Sequence, residues 1–304
     1  MGKAYLSDEG IRPLEKLLKT FCMKTGYSQD AVFEGLLDYM CSFLNPSFTP
    51  EPLQGWKYTK QDNETFYEMM VLTCRITGEQ IIKKGWYDPF GDLYMSIHSN
   101  GGGKEQYFTP PAVASATAAV NLAGLKEPSG TRTPVGKRIT ISDPAGGSGR
   151  LALAAYCELL KVMQNEWHWS ADKTEANRPF ISVEDLDYNC VKMAALNICL
   201  HGAFGEAVCH DTLTEPDKVR MGFIVNESMW PFPTQVPSVR RESDPWRFVC
   251  TRQWMIQQQA KEQSQGSGDA DCNHVAPASP LPDPVQAEAP KQEPKGKAVQ
   301  LTFF

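Results

Sequence analysis

The stretch Ile139-Thr-Ile-Ser-Asp143-Pro144-Ala145-Gly146-Gly147-Ser148-Gly149-Arg150-Leu151 constrains the fold more than any other part of the chain. It reads as a short apolar strand, an acidic turn, closely spaced glycines and the start of a helix. Glycine reaches positive φ at little cost and lets backbone approach a ligand closely. A helix N-terminus behind such a turn favours a carboxylate or a phosphate. A strand–turn–helix unit of this kind belongs to a layered α/β sheet, in which ligands bind beyond the carboxyl ends of the strands.

The surrounding sequence repeats the pattern. Apolar strands are predicted at Arg138–Ser142, Phe180–Val183, Glu206–Cys209, Gly222–Val225 and Arg247–Thr251. Helices start near Pro110, Ser148 and Tyr188. This alternation predicts a parallel sheet with helices on both faces. Before it, apolar residues recur with a helical period in Pro13–Lys24, Asp30–Leu44 and Glu64–Lys84, separated by a proline-rich loop at Asn45–Gly55. Residues from Lys261 to Lys297 are rich in Gln, Ser, Gly, Ala, Pro and acids, and cannot bury enough surface to fold. The expected organisation is a helical N-terminal domain (1–100), an α/β domain (101–260) and an unstructured tail (261–304) that ends in a short motif.

Charge and cysteines narrow the function. The net charge is −6, so the chain lacks the basic balance of a dedicated DNA-binding module. Its nine cysteines are scattered, with no C-x-x-C pair. That argues against a disulfide framework and against a zinc site, and for a reducing, cytoplasmic setting. The histidines show no metal-ligand spacing. The N-terminus has no signal-peptide core, and no apolar run is long enough to span a membrane.

Each acidic turn has a functional and a structural reading. Asp143 at the end of the first strand suits a ligand ammonium, and a ligand carrying both ammonium and carboxylate suits the whole turn, as the methionine part of S-adenosyl-L-methionine does. A tight turn with no ligand is the alternative. Glu184-Asp185-Leu186-Asp187 ends the second strand, where a ribose diol is held in nucleoside-binding sheets. A solvated helix N-terminus explains the same acids. Asp211 repeats the pattern after the third strand and suits an exocyclic adenine amine.

Taken together, the segments resemble the gamma-type N6-adenine DNA methyltransferases, above all the modification subunits of type I restriction systems. Asp88-Pro-Phe-Gly-Asp-Leu-Tyr94 is similar to the family's helical lead-in, and Gln106-Tyr107-Phe108-Thr109-Pro110 to its cofactor segment. Asp143 to Gly149 resembles the first motif. Asp185-Leu-Asp187 with Ala194-Ala-Leu-Asn197 resembles the second, and Asp211-Thr-Leu213 the third. The resemblance implies a Rossmann-like S-adenosylmethionine-dependent methyltransferase sheet and methyl transfer to adenine N6 in bacterial DNA. It implies a cofactor site of Tyr107, Thr109, Pro110, Asp143, Ala145, Gly146, Gly147, Gly149, Asp185 and Asp211. A separate specificity subunit is an implied partner.

The match departs at the catalytic segment. The family has an Asn or Asp, two prolines and an aromatic residue at the end of the fourth strand; here the chain reads Val225-Asn226-Glu227-Ser228-Met229-Trp230. Asn226 and the Glu227 carbonyl are the expected acceptors for the target amine, and Trp230 is the expected ring for a flipped base, which costs a few kcal/mol to extrude. Little sequence follows for further strands, so a truncated sheet is expected. The last five residues, Gln300-Leu-Thr-Phe-Phe304, resemble peptides that bind the bacterial sliding clamp; a tail strand packing on its own domain and a random apolar end are the other readings. The rival to a DNA methylase is a catalytically silent relative that acts as a DNA-replication or anti-restriction accessory. Methylation of RNA or of a protein glutamine shares the same fold.

Overall fold

A computed structural model describes residues 10–45, 58–98, 108–127, 139–215, 218–229, 246–251 and 300–302. The chain is an α/β protein with a Rossmann-like sheet and a helical N-terminal region. Helices α1 (Arg12–Thr25), α2 (Gln29–Phe43), α3 (Lys60–Lys84) and α4 (Pro89–His98) come first, then α5 (Pro111–Leu122). Local signals set their ends. Ser28 accepts from the Ala31 N–H at the start of α2, and Thr59 and Asp62 form a reciprocal capping box on α3.

The sheet follows: β1 (Thr140–Asp143), α6 (Arg150–Asn165), α7 (Ala171–Ala176), β2 (Phe180–Asp185), α8 (Tyr188–Leu200), β3 (Phe204–Cys209), β4 (Met221–Val225), β5 (Trp246–Val249) and β6 (Gln300–Thr302). Six strands lie in the order β5-β4-β3-β2-β1-β6. Strands β1, β2, β3 and β6 run parallel. Strand β4 runs antiparallel to β3, and β5 parallel to β4.

The reversal at β4 corrects the expectation of an all-parallel sheet. A parallel crossover needs a dozen or more residues, usually a helix. The β3–β4 connection spans residues 210–220; its described residues form a turn closed by an Asp211–Glu215 bridge, and the Arg220 N–H donates to the Cys209 carbonyl at 2.8 Å. So short a link permits a hairpin alone.

Side chains alternate across the sheet as a period of two requires. Ile141, Ile181, Val183, Ala207, Phe223, Val225 and Val249 join the main core beneath α6 and α8. Phe180, Phe204, Val208, Ile224 and Trp246 form a second cluster on the opposite face. The main core is continuous with the N-terminal helices: Leu36, Met40, Phe66 and Phe90 belong to the same cluster as Ala194 and Leu196 of α8. The Cys250 N–H donates to the Leu44 carbonyl at 2.9 Å, which ties the end of β5 to the end of α2. Packing therefore crosses the expected domain boundary near residue 100. Of the expected tail, residues 252–299 lie outside the described residues, and Gln300–Thr302 pairs with β1.

Candidate ligand site at the strand tips

The carboxyl ends of β1, β2 and β3 converge, and the expected cofactor residues gather there. Asp143 is fully buried. Its Oδ1 accepts from the Ala145 N–H at 3.3 Å, and its Oδ2 is buried with no hydrogen-bond partner. Burial, and then the negative charges of Asp185 and Glu184, push its carboxyl up to about 6, against the Ala145 N–H that favours the charged form. An orphaned buried carboxylate oxygen is costly. A cationic donor at this point would remove that cost.

The glycines of the turn contribute close packing against their neighbours. The Gly146 N–H donates to the Glu184 carbonyl and the Gly149 N–H to the Gly146 carbonyl, so both amides are spent inside the protein. Gly147 sits at φ +56°, and a Cβ there would lie 2.9 Å from the Phe108 ring. At Gly146 a Cβ would meet Val183 at 2.5 Å and crowd the Asp143 carboxyl. The turn thus stays tight against β2, and it hands the chain to α6 with the helix N-terminus facing the strand tips. Ala145 is exposed at the apex of the turn.

Asp185 is held in place by backbone. Its Oδ2 accepts from the Gly147 N–H at 2.9 Å and its Oδ1 from the Asp187 N–H at 2.8 Å. Burial raises its pKa against these hydrogen bonds. Each oxygen keeps one lone pair for a ligand hydroxyl. Leu186, next in the chain, is 55% exposed and gives an apolar surface beside the carboxylate. Asp187 turns away to cap α8, accepting from the Asn189 and Cys190 N–H groups.

Phe108 is the aromatic residue against Gly147, and it packs edge-on to Tyr94 at 5.3 Å. Tyr107 lies outside the described residues. Thr109 acts through its carbonyl, which accepts from Arg150 Nη1 at 3.1 Å, and Pro110 starts α5. Asp211 lies next to the turn, since the hydroxyl of the following residue, Thr212, donates to the Pro144 carbonyl at 3.2 Å. Its carboxylate accepts from the Leu213 and Thr214 N–H groups and from the Thr214 hydroxyl, which hold its pKa down. Those bonds make Asp211 an organiser of the β3–β4 turn.

The expected catalytic segment stands elsewhere. Because β4 is reversed, Val225 pairs with Gly205 at the start of β3, while Met221 pairs with Cys209 at its end. Asn226 and Glu227 therefore leave the sheet at the edge opposite Asp143 and Asp185. Asn226 is fully buried at φ +50°. Its Nδ2 donates to the Ala203 carbonyl at 2.6 Å, and its Oδ1 accepts from the Thr251 N–H at 3.0 Å. These bonds staple β4, the α8–β3 loop and the end of β5 together, and leave the side chain nothing to offer a substrate. Glu227 opens a short 3-10 turn at the same edge. Trp230 lies outside the described residues.

A buried polar network welds the motifs together, and the sequence reading missed it. Arg150 Nε meets Asp88 Oδ2 at 2.8 Å and Nη2 meets Asp92 Oδ1 at 2.9 Å. Ser148 Oγ donates to Asp88 Oδ2 at 2.6 Å, and Asn197 Nδ2 donates to Asp88 Oδ1 at 2.7 Å and to the Ser148 carbonyl at 2.8 Å. Burial raises the Asp92 carboxyl to about 6, against the attraction of Arg150. His201 packs beside this network, its Nδ1 on the Asn197 carbonyl and its Nε2 accepting from the Tyr87 N–H, and burial lowers its pKa to about 4. The available signal was Arg150, a cation that heads the apolar run Leu151–Ala155 and needs buried acids to answer it. A cleft lined by Lys84, Trp86, Tyr87, Asp92, Pro111 and Ser115 opens beside the network, and none of the expected site residues lines it. On the other face of β2, Glu184 gathers His210 Nε2 at 2.9 Å and the Thr212 hydroxyl at 3.0 Å.

No protein-family model and no curated protein matches the chain. Among the solved structures that resemble it are two methyltransferases. One is described as a class I S-adenosylmethionine-dependent methyltransferase from Listeria monocytogenes, with 15% identity, a TM-score of 0.39, and coverage of 66% of this chain and 52% of that one. The other is the type I restriction-modification system methyltransferase subunit from Streptococcus thermophilus, with 17% identity, a TM-score of 0.29, and coverage of 66% and 43%. The chain thus spans about half the length of the solved structures it matches. Among the described residues no cluster could hold a metal ion, and no helix is long and apolar enough to cross a membrane.

Proposed function

We propose that the chain binds S-adenosyl-L-methionine at the tips of β1 and β2 and transfers its methyl group to adenine N6 in DNA, with a separate specificity subunit as partner. The observation that carries the cofactor reading is Asp143, whose buried Oδ2 lacks a hydrogen-bond partner among the described residues, beside a turn whose glycines pack against Phe108 and Val183. Its carboxylate takes the ligand ammonium. The N-terminus of α6, which follows the turn directly, favours the ligand carboxylate. Asp185 takes the ribose hydroxyls with its spare lone pairs, and Leu186 gives the adenine ring an apolar surface. The group supplies an electrophilic methyl on sulfonium, so the protein's part is to hold it and to align the acceptor. The choice of adenine N6 and of DNA rests on the sequence resemblance.

The test is transfer of a tritiated methyl group to unmethylated DNA, with Asp143→Asn as control. Incorporation that depends on Asp143 supports the reading. A second reading has an observation of its own: Asn226 is consumed in structural hydrogen bonds at the far edge of the sheet. That favours a methyl-donor-binding accessory without catalysis, for which calorimetry with S-adenosylhomocysteine shows binding while the transfer assay shows no incorporation.

A further inference from the structure

The motif at the C-terminus has a place in the fold. Gln300–Thr302 pairs with β1 in parallel, with Thr140 opposite Gln300, Ile141 opposite Leu301 and Ser142 opposite Thr302. Strand β1 carries the site's central carboxylate on its last residue, Asp143. Without β6 it would be an edge strand, with one row of N–H and C=O groups unpaired. Strand β6 runs toward the ligand end, and Thr302 stands level with the residue before Asp143.

The seat is easily exchanged. Three residues make a very short strand. Only residues 250–299 connect β6 to β5, so the order of the chain does not force it against β1. Any groove that binds Gln300–Phe304 must first draw these residues out of the sheet. Two uses of one segment exclude each other, and the resulting coupling is reciprocal.

We propose that Gln300–Thr302 is an exchangeable edge strand whose seat on β1 supports the ligand site, so that a partner capturing the C-terminal peptide weakens methyl-donor binding. The chain's own tail is the occupant of the β1 edge. Pairing orders the β1 backbone, and with it Asp143 and the turn that follows. Capture by a partner leaves that strand one-sided and loosens the grip on the ligand.

The proposal rests on the site binding S-adenosylmethionine, so the experiment reads two things. Calorimetry measures affinity for S-adenosylhomocysteine, and hydrogen exchange follows the amides of residues 139–143. Both are run on the intact chain, a chain ending at Val299, the shortened chain with the peptide Gln-Leu-Thr-Phe-Phe added, and the full-length Leu301→Pro variant. The shortened chain and Leu301→Pro are expected to bind about tenfold more weakly, a typical coupling. Their β1 amides exchange faster, and the peptide in trans restores both properties to the shortened chain. Equal affinity in the intact and shortened chains overturns the proposal, as does unchanged exchange. No binding in any form overturns the cofactor reading, while the exchange data still judge the strand.

Discussion

Replacing Asn226 with alanine separates a structural residue from a catalytic one. The substitution removes Nδ2 from the Ala203 carbonyl and Oδ1 from the Thr251 N–H, at a side chain that is fully buried. Each abandoned partner costs about 1–3 kcal/mol. The backbone at φ +50° adds about 1–2 kcal/mol, because alanine tolerates the left-handed region less well than asparagine. Thr251 is only half-buried and recovers part of its loss to water. The expected destabilisation is therefore about 3–5 kcal/mol, a large share of the about 5–15 kcal/mol that holds a domain folded. Asn226→Gly relieves the backbone but not the hydrogen bonds, and should recover about 1 kcal/mol of that loss. Urea unfolding followed by tryptophan fluorescence measures both, and calorimetry on the folded protein at low temperature checks that S-adenosylhomocysteine still binds. Parent-like stability with methyl transfer abolished would refute this reasoning and return Asn226 to the catalytic site.

Other perturbations probe the site itself. Ligand affinity should rise with pH through about 6, the value to which burial lifts Asp143, because only the carboxylate attracts an ammonium; calorimetry across pH 5–8 shows this, and Asp143→Asn should flatten the profile. Raised folded-state values at Asp143 and Asp92 mean that the free protein loses stability as pH rises from the ordinary carboxylate range through about 6, whereas His201, lowered to about 4, costs stability as pH falls through 6.5; thermal unfolding of Asp92→Asn and His201→Gln isolates the opposed slopes. Gly147→Ala places a Cβ 2.9 Å from Phe108 at a positive φ, and should weaken ligand binding at least tenfold with stability down by about 1–2 kcal/mol. Arg150→Met leaves Asp88 and Asp92 buried without their cation, and should cost about 3–5 kcal/mol in urea unfolding.

Much of this architecture is legible in the sequence. Strand β2 was expected at Phe180–Val183 and observed at Phe180–Asp185; the Tyr188 helix start is where it was read. The glycine turn was legible because glycine has a narrow set of uses, and Asp143 and Asp185 because strand tips are where ligands meet an open sheet. Two features escaped. The direction of β4 depends on the length of the β3–β4 link, and a motif-based reading attends to residue types, so Asn226 was given a role that its sheet edge denies. The Asp88–Arg150–Asn197 network depends on contacts between residues far apart in sequence, which no local pattern reveals.

The claim on which all else depends is that Asp143 and Asp185 hold an adenosyl amino acid. Isothermal titration of the purified chain with S-adenosylhomocysteine at pH 7.5 tests it most directly. Saturable binding to a single site is expected, weakened in both Asp143→Asn and Asp185→Ala. No heat of binding, or binding indifferent to both substitutions, would contradict it.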